Sequence, residues 1–189
     1  MVAKINSAQI TGLKTDLVEV EVDINRGLQS FAIVGLPDKA VAEAKDRINS
    51  AIKNSGFKPP QKGNKKVVVS LAPANIKKEG SNFDLAIALG YLLASGDIKF
   101  DPKERLFIGE LALDGSLRPT NGSLLMVQYA KTKGFKEIYL PEENANEASL
   151  IHDIIIFPCR SLEQIINHLK TSGSEEHKPI SPKELTLIE

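Results

Sequence analysis

A stretch in which apolar and acidic residues alternate strictly constrains the fold more than any other part of the chain. It reads Val18-Glu19-Val20-Glu21-Val22-Asp23-Ile24. Side chains that alternate with a period of two lie on opposite faces of a strand. The pattern therefore predicts an antiparallel strand with its valines in the core and its carboxylates in water. A second strand is predicted over residues 30–34, after an Arg26-Gly27 turn.

Helical and extended patterns alternate through the next part of the chain. Asp38 is a suitable N-cap for a helix that runs to about residue 55 with one apolar face. Residues 66–72 are β-branched and almost continuously apolar, which predicts a central strand covered on both faces. A helix over residues 83–95 is apolar nearly all round. We expect that helix to lie between the sheet and a helix over residues 122–133.

The rest of the chain completes an alternating pattern. Residues 106–118 are predicted to form a β-hairpin, because Asp114-Gly115 supplies the positive φ angles of a type I′ turn. Strands over 138–140 and 154–157 and helices over 142–150 and 161–170 follow. The expected fold class is α/β (α+β), a mixed β-sheet with packed helices. We expect one domain over residues 1–170. The polar, proline-punctuated residues 171–189 are expected to be a linker towards a missing module.

Composition excludes several function classes. The 189 residues include 24 basic and 24 acidic ones, which is ordinary globular composition. The sequence shows neither an apolar run near the ~18 residues of a membrane span nor a signal-peptide pattern. We therefore expect a cytoplasmic protein without a membrane partner. The single cysteine, Cys159, is expected in the core, and His152, His168 and His177 lack metal-ligand spacing.

The charges are unevenly distributed along the chain. Residues 39–78 carry ten Lys and Arg against Glu43 and Asp46, a net charge of +8. Such a segment favours an anionic partner, although solvated lysines explain it equally well. The candidate nucleic-acid-binding residues are four lysines on a predicted exposed loop and two beside a helix N-terminus: Lys58, Lys62, Lys65, Lys66, Lys77 and Lys78. No Walker loop and no Gly-x-Gly-x-x-Gly after a strand is present, so this segment is not expected to hydrolyse nucleotide itself.

Four segments carry a resemblance to a known family. Two are short, Val34-Gly35-Leu36-Pro37-Asp38 and Leu140-Pro141-Glu142-Glu143-Asn144, and the longer two span residues 69–89 and 109–122. With these motifs in order over residues 4–169, the chain resembles the N-terminal domain of the ComM/YifB family, the Mg-chelatase-like AAA+ ATPases. Ser70 and Asn75 stand where the family usually has asparagine and aspartate, and Ala86 where proline is common.

That domain resembles in turn the proteolytic domain of Lon, the C-terminal domain of the recombination protein RadA and part of a small-subunit ribosomal protein. The motifs place Asn82 at the nucleophile of the Lon Ser–Lys dyad and Leu124 at its lysine. An aliphatic side chain cannot accept the proton of a hydroxyl group, so the resemblance implies a catalytically silent domain. Ser81 is interpreted as a helix cap, and a Ser–Lys peptidase that uses Ser81 remains an alternative.

The resemblance also implies a function for the full-length protein. Family members resemble hexameric DNA motors that promote branch migration during uptake of transforming DNA. ATP and Mg²⁺ are then bound by the AAA+ module outside this segment, and no cofactor is expected within it. The domain itself would serve assembly or DNA contact, and a purely oligomerisation or regulatory role is a further alternative.

Overall fold

The computed structural model describes residues 2–170 of the chain. Within them, the strands are β1 Ala3–Thr11, β2 Lys14–Arg26, β3 Ser30–Val34, β4 Lys65–Ala72, β5 Arg105–Phe107, β6 Glu110–Leu111, β7 Leu117–Arg118, β8 Glu137–Pro141 and β9 Ile155–Cys159. The helices are α1 Lys39–Asn54, α2 Asp84–Ser95, α3 Ser123–Thr132, α4 Ala145–Ala148 and α5 Leu162–Lys170, with a 3-10 turn over Glu142–Asn144. The linker predicted over residues 171–189 lies outside the described residues.

The large sheet is mixed and has the strand order β3-β4-β2-β1-β5-β8-β9. The antiparallel hairpin of β1 and β2 forms its centre, with Ala3 opposite Val22, and β4 runs antiparallel to β2. The remaining pairs are parallel: β3 with β4, β1 with β5, β5 with β8, and β8 with β9. The expected α/β fold with a mixed sheet is therefore confirmed.

Helices cover the two faces of this sheet unequally. Apolar residues of α1, α2 and α5 form one core with the inner face of the sheet. Those of α3 and α4 form a second core on the outer face, over β1, β5, β8 and β9, against which Leu17 of β2 also packs. On β4, Val67, Val69 and Leu71 are fully buried, whereas the side chains between them are half-buried. The prediction that this strand is covered on both faces was wrong.

The central helix α2 is buried, as its composition predicts, but its neighbour differs from the expected one. It packs on β1 and β2 and against α1, whereas α3 lies with the other core. Gly90 permits the close approach to the sheet, because a Cβ atom there would lie 2.8 Å from Val22 Cγ2. The chain therefore places α1 and α2 together in one layer.

The region predicted as one hairpin is divided between two sheets. β5 joins the large sheet, and only β6 and β7 pair with each other. Gly115 has φ +89° and donates its N–H to Ala112 O at 3.0 Å, while Asp114 is not among the residues with positive φ. The turn is therefore a longer loop with one left-handed glycine, and the type I′ prediction was wrong.

Candidate functional site

A cleft of about 640 Å³ lies between the two loops that lead into α2 and α3. Gly80, Ser81 and Asn82 line it from the first loop, and a second wall is formed by residues 119–122. Gly122, which precedes α3, has φ +74°, and a Cβ atom there would lie 2.1 Å from Ile10 Cδ1. The cleft thus joins the two segments that the Lon resemblance singles out.

Ser81 has a different role from the predicted helix cap. Its hydroxyl donates a hydrogen bond to Glu110 Oε2, and Arg118 Nη1 lies 3.1 Å from the other oxygen of that carboxylate. No side chain caps α2, and Asp84 N donates instead to the carbonyl oxygen of Ser81 at 3.3 Å. The Ser81 hydroxyl therefore faces a carboxylate paired with arginine, and the cap interpretation was wrong.

The two dyad positions are not equivalent in the cleft. Asn82 lines it, and its carbonyl oxygen accepts from Gly109 N at 3.0 Å. Leu124 lies half-buried in the first turn of α3, where Leu125 is the residue that lines the cleft. Among the described residues that line it, none is a lysine. The geometry thus gives no amine to activate a hydroxyl group at this place.

The adjacent lysines Lys77 and Lys78 have opposite environments. Lys77 is exposed and pairs with Glu79 at 2.9 Å. Lys78 is fully buried, and its Nζ donates to the carbonyl oxygens of Gly35 at 3.1 Å, of Ile76 at 2.6 Å and of Pro73.

Burial lowers the pKa of Lys78. Because its ammonium group is enclosed by carbonyl oxygens, Lys78 is not presented to a ligand, and its place among the candidate nucleic-acid-binding residues is corrected. It joins the residue 73–78 loop to the segment after β3.

Asp84, at the start of α2, is nine-tenths buried or more and pairs with Arg47 of α1. Arg47 Nε lies 2.7 Å from Asp84 Oδ2, and Arg47 Nη2 lies 3.1 Å from Oδ1. Leu111 N donates to the same carboxylate at 3.2 Å. Burial raises the pKa of Asp84 to about 6, although Arg47 acts in the opposite direction. An acidic residue in the first turn of a helix is typical of a side chain that caps that helix, but the Asp84 carboxylate accepts from Arg47 and Leu111 N instead.

The remaining candidate lysines lie around the segment before β4. Lys58, Lys62 and Lys66 are exposed and Lys65 is half-buried. β4 begins at Lys65, so the last two lysines belong to the strand instead of the predicted loop. No ion pair within residues 2–170 involves any of the four, in contrast to Lys4, Lys77, Lys131 and Lys136.

Sequence reasoning missed a fifth cation at this surface, Arg26 at the end of β2. It stands directly opposite Lys65 in the β2–β4 register. Like charges that face each other across a strand pair repel. The sequence predicts the Arg26-Gly27 turn, but it does not show that Arg26 stands beside the lysines. The pairing of Arg26 with Lys65 follows from the strand register, which only the fold provides. We call Arg26, Lys58, Lys62, Lys65 and Lys66 the basic cluster.

Other chemistry is limited in the part of the chain that the structure describes. No group of three or more His, Cys, Asp or Glu side chains there is placed to hold a metal ion. Cys159 is buried, and burial raises the pKa of its thiol far above the ordinary value. No helix within residues 2–170 has both the length and the apolar character needed to cross a bilayer.

Comparison with known proteins finds one family model and several relatives. Residues 20–144 match the model described as subunit ChlI of Mg-chelatase. The chain is 40% identical over 166 residues to "Competence protein ComM" of Haemophilus influenzae, covering 87% of this chain and 31% of that protein. It is 40% identical over 144 residues to the uncharacterized protein YifB of Escherichia coli, covering 75% and 27%.

The chain also has a more distant similarity to a protease. The chain is 28% identical over 109 residues to Lon protease 2 of Bacillus subtilis, covering 57% of this chain and 19% of that protein. The chain spans about a third of the length of the ComM and YifB relatives.

Proposed function

This chain belongs to the family described as subunit ChlI of Mg-chelatase, and on that basis we propose that residues 1–170 form the Lon-protease-like N-terminal domain of a ComM-type AAA+ ATPase. The domain itself is not a peptidase. It contacts DNA and supports assembly of a hexameric motor that promotes branch migration in natural transformation. ATP and Mg²⁺ bind the AAA+ module, to which residues 171–189 form the linker.

The observation that carries the DNA contact is the basic cluster. Its five cations lie at one end of β2 and β4, and none of the four lysines has an acidic partner within residues 2–170. Repulsion between Arg26 and Lys65 is a cost that a bound anion removes. Several spaced cations fit the row of phosphates of a nucleic acid best. Each cation that neutralises a phosphate releases a condensed counterion, and this release favours binding.

The absence of peptidase activity is supported by the cleft. A Ser–Lys peptidase needs a neutral amine within reach of its hydroxyl group. Ser81 instead donates to Glu110, Lys77 pairs with Glu79, and Lys78 is enclosed by three carbonyl oxygens. A carboxylate that is already paired with Arg118 is a poor base for a hydroxyl group.

Peptide hydrolysis by the 189-residue chain tests this part of the proposal. We expect no turnover of a fluorogenic peptide library at high protein concentration and no labelling by a fluorophosphonate. The double substitution Asn82→Ser with Leu124→Lys is expected to stay inactive, because Leu124 does not line the cleft. Turnover by the wild type that disappears in Ser81→Ala would contradict the proposal.

DNA binding as a function of salt tests the other part. Replacing Lys58, Lys62, Lys65 and Lys66 by serine is expected to weaken binding to any duplex. The slope of log affinity against log salt should become flatter by up to about 3.6, since each of the four lost phosphate contacts removes about 0.9.

A matched control removes the same charge elsewhere. Lys103, Lys131, Lys133 and Lys136 are replaced by serine; two of these pair with acidic residues at the β5 and β8 side of the domain. This variant should keep the wild-type slope. An equal loss in both quadruple variants would show that only net charge matters, and no binding by the wild type would favour a purely oligomerisation or regulatory role.

A further inference from the structure

The most exposed apolar side chain in this part of the molecule lies at the basic cluster. Leu28, in the turn between β2 and β3, is 94% exposed. It shares a concavity of about 600 Å³ with Arg26, Lys58 and Lys65. An isolated exposed leucine needs no explanation in general. Here, however, the leucine projects from a surface made of unpaired cations.

The turn that carries Leu28 is anchored on both sides of this residue. Gly27 N donates to Asn64 O at 3.2 Å, and Gln29 Nε2 donates to Gln61 O. Both acceptors belong to the loop that also carries Lys58 and Lys62. The leucine and the cations are therefore held in one unit, and a ligand that binds the cations meets Leu28 at the same time.

Leu13 provides a comparison within the same chain. It is 92% exposed in the turn between β1 and β2, where Lys14 follows it and Asp16 accepts a hydrogen bond from Thr11 Oγ1. That turn has no cluster of cations. Exposure of a leucine in a turn is thus common to both places, and the surrounding positive charge is what distinguishes Leu28.

We propose that Leu28 acts as an apolar wedge that enters a base step of the DNA whose phosphates the basic cluster holds. Proteins that place an apolar side chain between base pairs unstack them partly, and phosphate contacts on either side offset the cost of unstacking. This inference rests on the proposed DNA contact and adds a distinct action to it. The cations supply affinity, and Leu28 distorts the stacked bases.

Fluorescence of 2-aminopurine tests the wedge in the 189-residue chain. The probe is a short duplex with 2-aminopurine in place of adenine at its TA steps, which unstack most easily. At saturating wild-type protein we expect a severalfold rise in fluorescence. Leu28→Ser should bind with an affinity within about twofold of wild type and with the same salt dependence, yet lose the rise. Leu28→Phe should keep it.

Leu13→Ser is the matched control and should behave as the wild type. A fluorescence rise that persists in Leu28→Ser, or wild-type binding without any rise, would overturn the wedge and leave the proposed DNA contact intact. No wild-type binding to DNA would overturn both. Vesicles of anionic phospholipid form a further arm: vesicle binding that needs Leu28, without base unstacking, would replace the wedge by a membrane contact.

Discussion

Arg47 and Asp84 join α1 to α2 through two hydrogen bonds, of 2.7 and 3.1 Å, at a point where Asp84 is 1% exposed. Removal of one member of a buried ion pair leaves an uncompensated charge, which costs about 3–5 kcal/mol. We therefore expect Arg47→Met to lower the free energy of unfolding by that amount in urea denaturation. The double variant Arg47→Met with Asp84→Leu should regain part of this stability, because neither charge then remains. A loss of about 1–3 kcal/mol should persist, because Leu111 N has lost its acceptor. Equal losses in both variants would contradict this account.

The same carboxylate predicts a pH dependence of stability. Burial raises the pKa of Asp84 from 3.8 to about 6 in the folded protein. Between these two pH values the folded state binds more protons than the unfolded state, so the contribution of this group to stability falls as the pH rises through the window. Compared with Asp84→Asn, the wild type should therefore be relatively most stable near pH 4 and lose this advantage by about pH 7. Urea unfolding at several pH values measures the difference, and a difference that grows with pH would be the opposite result.

Lys78 should be structurally essential although it is a lysine in a loop. Lys78→Met leaves the carbonyl oxygens of Gly35, Pro73 and Ile76 without their charged donor. The bonds are part-buried, and an acceptor shielded from water that loses its partner costs about 1–3 kcal/mol, so we expect a loss of a few kcal/mol in thermal or urea unfolding. Lys77→Met, next to it and exposed, is the control and should leave stability nearly unchanged. Similar behaviour of the two variants would contradict the assignment.

Gly35 is expected to tolerate no side chain. It has φ +106°, and a Cβ atom would lie 2.3 Å from the backbone oxygen of Leu71. Gly56 serves as the control, since it has φ +83° with nothing within 4 Å of an added Cβ atom. Gly56→Ala should cost about 1–2 kcal/mol for its left-handed backbone. Gly35→Ala should cost about 1–3 kcal/mol more, because the neighbouring strand must shift. Equal melting temperatures of the two variants would show that the contact relaxes freely.

Local patterns in the sequence predict a large part of this fold. β2 follows from its alternation, and α1 begins where Asp38 predicts, with Asp38 Oδ1 accepting from Val41 N at 2.8 Å. β1 was not predicted, because Ser7 and Gln9 are polar and yet face the core. A period-two pattern is invisible when polar residues occupy the buried positions.

Pairings between distant residues account for most of what the sequence does not predict at the site. Arg47 and Asp84 are 37 residues apart, and Asp84 at the start of a helix has the sequence signature of a cap. Lys77 and Lys78 are chemically identical, and only the path of the residue 73–78 loop decides which of them is enclosed. Arg26 joins the basic cluster through strand register, which no local pattern encodes.

Because helices cover the outer face of the sheet incompletely, charged side chains along β2 give this domain an uneven charge distribution. Helix α3 contacts β2 near Thr15 and Leu17. Glu19, Glu21 and Asp23 lie further along the outer face of this strand, and the basic cluster stands at its end. Lys4 offsets part of this negative charge through its contacts with Glu19 and Glu21. On the DNA contact proposed above, a polyanion that approaches along the strands is attracted at the Arg26 end and repelled by the acidic side chains, so we expect this charge distribution to orient the domain before contact.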